Sequence, residues 1–232
     1  MKNLPDLVVC HPLHLDYPLW REMIKENRKH FNKVIIVFTD MNVIDPNYKN
    51  YVQQTMKEDD ITFLDCLPIV AGEDWRNKAV NMALSISNSE WVYFTEQDFI
   101  PVPEFWREVT DLMKRADVFG KYEGNRLHPC CFFIKRELLN RTSKDFGANG
   151  DKGYDHFALI QKWINSHNII CGVIFSQFGH HMNGLSQNLH MLQIGLEPNY
   201  QPERFKEYCK QCLLLDDLHP AFEKLFKEYL KS

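Results

Sequence analysis

Short apolar runs alternate with helical patterns through the first hundred residues. LVVCHPL at 7–13, KVIIVFTD at 33–40 and ITFLDCL at 61–67 are continuous enough to read as buried strands. Between them, residues 16–30 and 47–57 read as helices. A third helix falls within GEDWRNKAVNMALSISN, where Ala79, Met82, Ala83 and Ile86 recur at helical spacing, and it leads into the strand WVYF at 91–94. This β-α-β-α-β order calls for parallel strands joined by crossover helices.

The second half is less regular. PVPEFWREVTDLMKRA at 101–116 reads as a helix entered through prolines, and HPCCFFIK at 128–135 as a strand running into another helix. TSKDFGANGDKG at 142–153 is rich in turn formers and reads as a loop before the helix YDHFALIQKWI. A strand, NIICGVIF at 168–175, precedes the polar run SQFGHHMNGLSQN. From Glu197 onward, prolines punctuate two short helices. The last sets Phe222, Leu225, Phe226, Tyr229 and Leu230 on one face, which is expected to dock on the body of the protein. The division expected is a domain at 1–196, with a donor half at 1–100 and an acceptor half at 101–196, followed by a helical extension at 197–232.

With 232 residues and 44% hydrophobic content the chain can bury a sizeable core. The net charge of −4 gives no overall attraction to a nucleic-acid backbone or an anionic membrane. The amino-terminal apolar run is broken by Pro12, His14 and Asp16, unlike that of a secretion signal, and no apolar run approaches the roughly 20 residues of a membrane span. Seven cysteines without regular spacing, with Cys10, Cys66 and Cys171 in apolar runs, favour a reducing, cytoplasmic setting. Cys209 and Cys212 form a lone CxxC that reads as helix packing, because zinc would need two more ligands.

In an open α/β sheet, ligands bind beyond the carboxyl ends of the strands. There the sequence gathers His11 and Pro12 after the first strand and Asp40 after the second. Glu96, Gln97 and Asp98 follow the fourth, and His180 and His181 follow the late strand. Two acids one residue apart at a strand end can share a cation. Taken singly these residues have plainer readings: Asp40 as a turn former, Glu96 as a solvated strand end, the histidines as loop residues. Their order together is what points to a site.

That order resembles the GT-A glycosyltransferases, and especially the inverting family 2 type, over roughly residues 5–190. RNKAVNMALSISNSEWVYFTEQDFIPVPEFW looks like that family's Arg-Asn helix, buried strand, acid-x-acid motif and Pro-containing entry to the next helix. GYDHFALIQKWI resembles its later acid-led helix, and FGHHMNGLS its terminal His motif. The resemblance implies a Rossmann-like, mainly parallel α/β sheet flanked by helices. It also implies a metal-dependent hexosyltransferase (EC 2.4) that moves a sugar from a nucleotide diphosphate to an acceptor hydroxyl.

By the same resemblance Asp98 is the direct ligand of Mn²⁺ or Mg²⁺, and one of His180 and His181 completes the metal or diphosphate contacts. Glu96 would lie near the ribose or a metal-bound water. His11, Pro12 and Gln97 belong to the nucleotide-binding set, and Asp40 and Arg76 would contact the base or ribose, which fits a UDP-sugar. Asp155 at the start of its helix is the implied general base, with His156 behind it. The departures are Glu96 where the family has Asp and the single Asp40 where it has an acid pair. The acceptor, a glycan, lipid or other hydroxyl compound, would meet residues 121–130, where Tyr122, Arg126 and His128 stand, and the 142–153 loop. The acidic net charge weighs against a nucleic-acid acceptor.

Three other readings stay open on the sequence. A retaining transferase would share the fold. A sugar nucleotidyltransferase would show a glycine-rich loop after the first strand, and HPLHLDYPLW has no glycine. A non-catalytic nucleotide- or glycan-binding domain is the third.

Overall fold

The structure, a computed structural model, describes residues 4–12, 18–39, 48–56, 61–66, 75–95, 99–123, 126–146, 157–175, 177, 179–181, 188–189, 191–192, 194–216 and 218–231. The first half alternates as the pattern indicates: β1 (Asp6–Pro12), α1 (Pro18–Asn27) with a 3-10 turn at Arg28–His30, β2 (Val34–Thr39), α2 (Tyr48–Thr55), β3 (Ile61–Asp65), α3 (Trp75–Ile86) and β4 (Trp91–Thr95). There follow β5 (Phe99–Pro101), α4 (Phe105–Leu112), β6 (Val118–Glu123), β7 (Arg126–Lys135), α5 (Arg136–Leu139), α6 (Ala158–Ser166), β8 (Cys171–Ile174), β9 (Gly179–His181), α7 (Pro202–Cys212) and α8 (Pro220–Tyr229).

The main sheet has the order β3-β2-β1-β4-β7-β6-β8, and β5 and β9 form a separate two-stranded ribbon. Strands β1 to β4 run parallel, as does β8 on β6, whereas β7 is antiparallel to both β4 and β6. Period-2 alternation sorts the strand residues onto two faces. Leu7, Val9, Ile36, Phe38, Tyr93 and Phe133 share one buried cluster with α1, α2, α4, α7 and α8. Val8, Ile35, Val37, Val92, Phe94 and Phe132 share the other with α3, α5 and α6. The result is a helix–sheet–helix sandwich, in which moving outward from β1 to β2 to β3 and then back across to β4 puts α3 on the face opposite α1 and α2.

Phe222, Phe226 and Tyr229 are buried and join the first cluster, with Leu225 and Leu230 packed against it, so the last helix does dock on the body. Cys209 and Cys212 are fully buried there beside Phe205 and Tyr208, as expected of helix packing. Burial pushes the Cys209 thiol up to about 12. No described helix is long and apolar enough to cross a membrane.

Three elements differ from the pattern. Residues 101–104 are not helical: Pro101 ends β5 and α4 begins at Phe105, whose N–H donates to Val102 O at 3.0 Å. Residues 118–123 form a strand that the sequence pattern does not indicate, because Val118–Gly120 are buried but Lys121 and Tyr122 carry no apolar signal. Gly120 is required there, since a Cβ would meet Cys131 O at 2.1 Å. Helix α6 opens at Ala158 rather than at Tyr154, with Phe157 as its N-cap in a left-handed conformation at φ 66°.

At the amino edge of the sheet, buried Asp6 organises the framework. It accepts hydrogen bonds from Asn32 Nδ2, Ser87 Oγ, the backbone of Asn88 and Ser89, and Ser89 Oγ. Arg136 donates to Ser87 Oγ and to Ser89 O, placing a cation beside the same cluster. Burial alone pushes the Asp6 carboxyl up, but the bonds from Asn32, Ser87 and Ser89 together outweigh it and hold it below its ordinary value. This network joins β1, α3 and α5 at the end of the sheet opposite the candidate site.

Candidate functional site

The strand order reverses between β1 and β4, the place where open α/β sheets bind ligands. Among the described residues the β1–β4 ladder runs to Val9↔Thr95, and β1 runs beside β2 as far as Pro12↔Thr39. His11 and Pro12 lie at the carboxyl end of β1. Thr95 is fixed from the other side, where its Oγ1 donates to Cys130 O at 2.9 Å. Arg76 is the second residue of α3, whose amino-terminal end follows β3.

The ribbon supplies the second half of the site. β9 runs antiparallel to β5 with the register Phe99↔His181, Ile100↔His180 and Pro101↔Gly179. Phe99 is the residue that follows Asp98 in the chain, so the His-His pair is drawn to the strand that immediately continues the acid run. The Phe99 ring is buried and packs on Phe105 at 5.7 Å, which anchors the ribbon in the core. Gly179 permits the pairing, because a Cβ there would stand 2.2 Å from Phe99 Cζ.

Of the sequence-derived residues, His11, Pro12, Arg76, His180 and His181 thus have described backbone positions. Asp40, Glu96, Gln97, Asp98, Asp155 and the alternative His156 lie outside the described residues. Their flanks are Thr39 at the end of β2, Thr95 and Phe99 around the acid run, and Phe157 ahead of α6. The N-cap position of α6 belongs to Phe157, which replaces the expectation that Asp155 opens that helix.

Strand β7 runs antiparallel beside β4 and carries the stretch expected to meet an acceptor. Tyr122 is 43% exposed and Arg126 half-buried, but His128 is buried and its Nδ1 accepts the Cys130 N–H at 3.2 Å. That bond ties His128 to its own strand. Gln161 of α6, also buried, accepts the Leu127 N–H at 3.0 Å and ties α6 to β7. Two ionisable groups near the end of β4 stay neutral. Burial raises the Tyr93 phenol well above its ordinary value and pushes the Cys131 thiol up to about 12. Neither can act as a base near neutral pH.

Features that sequence reasoning missed are the ribbon partner Phe99, the permissive Gly179 and the loop anchors Asn77, Asn81 and Phe157. The i,i+4 spacing of Asn77 and Asn81 on one helix face was an available signal for the anchors.

No family model matches the chain, and no curated protein does. Solved structures do. The mannosyltransferase PcManGT from Pyrobaculum calidifontis, in complex with GDP-Man and Mn²⁺, is similar with a TM-score of 0.54 and 15% identity, over 98% of this chain and 69% of that one. Glucosyl-3-phosphoglycerate synthase from Mycobacterium tuberculosis, with phosphoglyceric acid, is similar with a TM-score of 0.52 and 13% identity, over 84% and 81% of the two chains. The same synthase with Mn²⁺, UDP and glucosyl-3-phosphoglycerate gives 0.51. The chain has the GT-A fold that these glycosyltransferases share.

Proposed function

We propose that the protein is a metal-dependent glycosyltransferase that moves a sugar from a nucleotide-diphosphate sugar, a UDP-sugar in the first instance, to an acceptor hydroxyl with inversion. The observation that carries this reading is the pairing of β5 with β9, which brings His180 and His181 to the strand continuing the Glu96–Asp98 run, at the switch point of a GT-A sheet. Neighbours of the same fold were solved with Mn²⁺ and with GDP-Man or UDP, which supports this donor class.

The donor set suits a hard or borderline cation: carboxylate from Asp98 and imidazole from His180 or His181 match Mn²⁺ or Mg²⁺, and the imidazole favours Mn²⁺. When bound, such a cation offsets the charge that builds on the departing diphosphate. Asp40, Arg76, Glu96 and Gln97, with His11 and Pro12, orient the nucleotide along the carboxyl edge. Asp155 takes the proton of the acceptor hydroxyl as its oxygen bonds the anomeric carbon. The bond from that carbon to the phosphate oxygen breaks, and the nucleoside diphosphate leaves with its electron pair.

Residues 1–100 are assigned to the donor and 101–196 to the acceptor, which is a glycan, lipid or other hydroxyl compound. A cytoplasmic setting belongs to the same proposal and rests on seven cysteines without regular spacing, of which Cys66, Cys130, Cys131, Cys209 and Cys212 are buried. The test is incubation with a panel of UDP- and GDP-sugars and Mn²⁺, with detection of the released nucleoside diphosphate. Release with one donor class, abolished by chelation, is expected. Absence of both binding and release with every donor overturns the reading. Product anomer analysis then separates inversion from retention.

A further inference from the structure

Segment 147–156, which carries Asp155, is framed by Phe146 and Phe157, and both are held. The Phe157 N–H donates to Phe146 O at 3.2 Å, so the two ends of the segment meet. Their rings are 5.1 Å apart, and both pack on Phe94, at 5.5 Å from Phe146 and 5.2 Å from Phe157. Phe94 precedes Thr95 and the acid run. Phe157 also meets Phe132 at 5.5 Å. The aromatic cluster holds the closed base of the segment under the carboxyl end of β4, and Phe157 keeps its left-handed backbone because the packing around it is fixed.

Polar contacts reach this base from α3. Asn77 Oδ1 accepts the Phe146 N–H at 3.3 Å and also the Asn81 Nδ2–H at 2.8 Å. Asn81 Nδ2 in turn donates to Lys144 O at 3.1 Å. Lys144 stands at φ 55°, a conformation that needs such support. The amide of Asn77 must present its oxygen, since both of its neighbours there are donors. Asn77 directly follows Arg76, the residue assigned to the nucleotide.

We propose that Asn77 is a positioning residue, which ties Lys144 and Phe146, and through Phe146 the start of α6 at Phe157, to the helix that carries Arg76, and so couples the entry of α6 to the donor site. This rests on the glycosyltransferase reading for its catalytic consequence. The anchor itself is a property of the described residues.

The test compares Asn77→Ala with Asn77→Asp, which keeps an acceptor oxygen for both donors. Amide exchange of the free protein is measured first. Asn77→Ala is expected to speed exchange at Phe146 and Phe157 by about tenfold, as loss of one buried hydrogen bond does, while Ala83 and Leu84 within α3 stay near wild type. Asn77→Asp should restore slow exchange. Exchange at Phe146 and Phe157 within twofold of wild type in Asn77→Ala overturns the anchor, whatever the donor panel gives.

With the donor found by the panel and Mn²⁺, Asn77→Ala should lower kcat about 10- to 100-fold, with KM for the donor within about twofold, because misplacing a catalytic group acts on the chemical step. Asn77→Asp should recover most of the rate. A rise in KM at unchanged kcat, or an Asn77→Asp variant as slow as Asn77→Ala, overturns the positioning role. If the wild type turns over no donor, the functional proposal and the catalytic consequence fall together, and the exchange data alone decide the anchor.

Discussion

The ring of Phe99 fills the space that a side chain on Gly179 would need. A Cβ at Gly179 would stand 2.2 Å from Phe99 Cζ and 2.7 Å from Cε2, and the ring is itself held in the core by Phe105. The β5–β9 ribbon therefore packs this closely only with glycine at that position, and it carries His180 and His181.

Gly179→Ala should push the ribbon apart. Overpacking of this kind costs about 1–3 kcal/mol, which for a chain of this size lowers Tm by about 3–10 °C. Mn²⁺-dependent binding of UDP or GDP should weaken more than about tenfold, because a displacement of an ångström at a ligand site is felt at the site. The check is a double-mutant cycle with Phe99→Leu, which makes room. The two changes should be non-additive by about 1 kcal/mol or more, and strict additivity in both melting and nucleotide titration would remove the link between the ring and the site.

The metal assignment has its own test. Asp98→Ala should abolish Mn²⁺-dependent nucleotide binding with little change in Tm, since a strand-end acid contributes little to a core. His180→Ala and His181→Ala are expected to differ, with one near wild type, because adjacent strand positions do not share a face. Chelation should reproduce the Asp98→Ala result in the wild type. Unchanged nucleotide affinity in Asp98→Ala with Mn²⁺ present would count against the assignment.

How much of this was legible follows from how each element is stabilised. The described residues of β2 and β4 are buried on both faces and so read as continuous apolar runs, with Ile35, Ile36, Val37 and Phe38 all fully buried, whereas β3, at the edge of the sheet, is only half-buried and is read from its own apolar residues Ile61, Phe63 and Leu64. Strand β6 is hidden because its polar half, Lys121–Glu123, is held by pairing with β7 and β8 rather than by its own side chains. Strands β5 and β9 are three residues each, too short for any period, and their pairing is a long-range event that only Gly179 foreshadows. The residue types of the site were legible from strand ends and family order. That the His-His pair lies beside the strand following the acid run required the register.

The Asp6 network predicts how stability responds to acid. Its carboxyl is held below the ordinary value in the folded chain, so its contribution is fully present above the unfolded value of about 3.9 and is lost as pH falls through the folded value. Asp6→Asn puts an amide N–H among groups that donate and leaves Arg136 without its nearby charge, at a cost of about 2–4 kcal/mol near neutral pH. Denaturant unfolding of both proteins between pH 7 and pH 2.5 should show the gap narrowing below about pH 4. A gap that stays constant with pH would mean that the carboxyl is not the group that titrates.

Asp155 can be separated from any role in helix capping, because the N-cap of α6 is Phe157. Asp155→Asn should then leave Tm near wild type, and it should leave nucleotide affinity in Mn²⁺ near wild type as well. If Asp155 is the base, transfer to the acceptor falls by about 10² to 10⁴, the usual worth of general-base catalysis, since the amide cannot take the hydroxyl proton. The pH–rate profile should also lose its acidic limb, while His156→Ala retains it. Melting, nucleotide titration and transfer rate measured on one preparation keep a folding defect from passing as a chemical one. Near-normal transfer by Asp155→Asn would move the base to His156, or to the donor's own phosphate in a retaining reaction, and product anomer analysis on the same sample distinguishes those two.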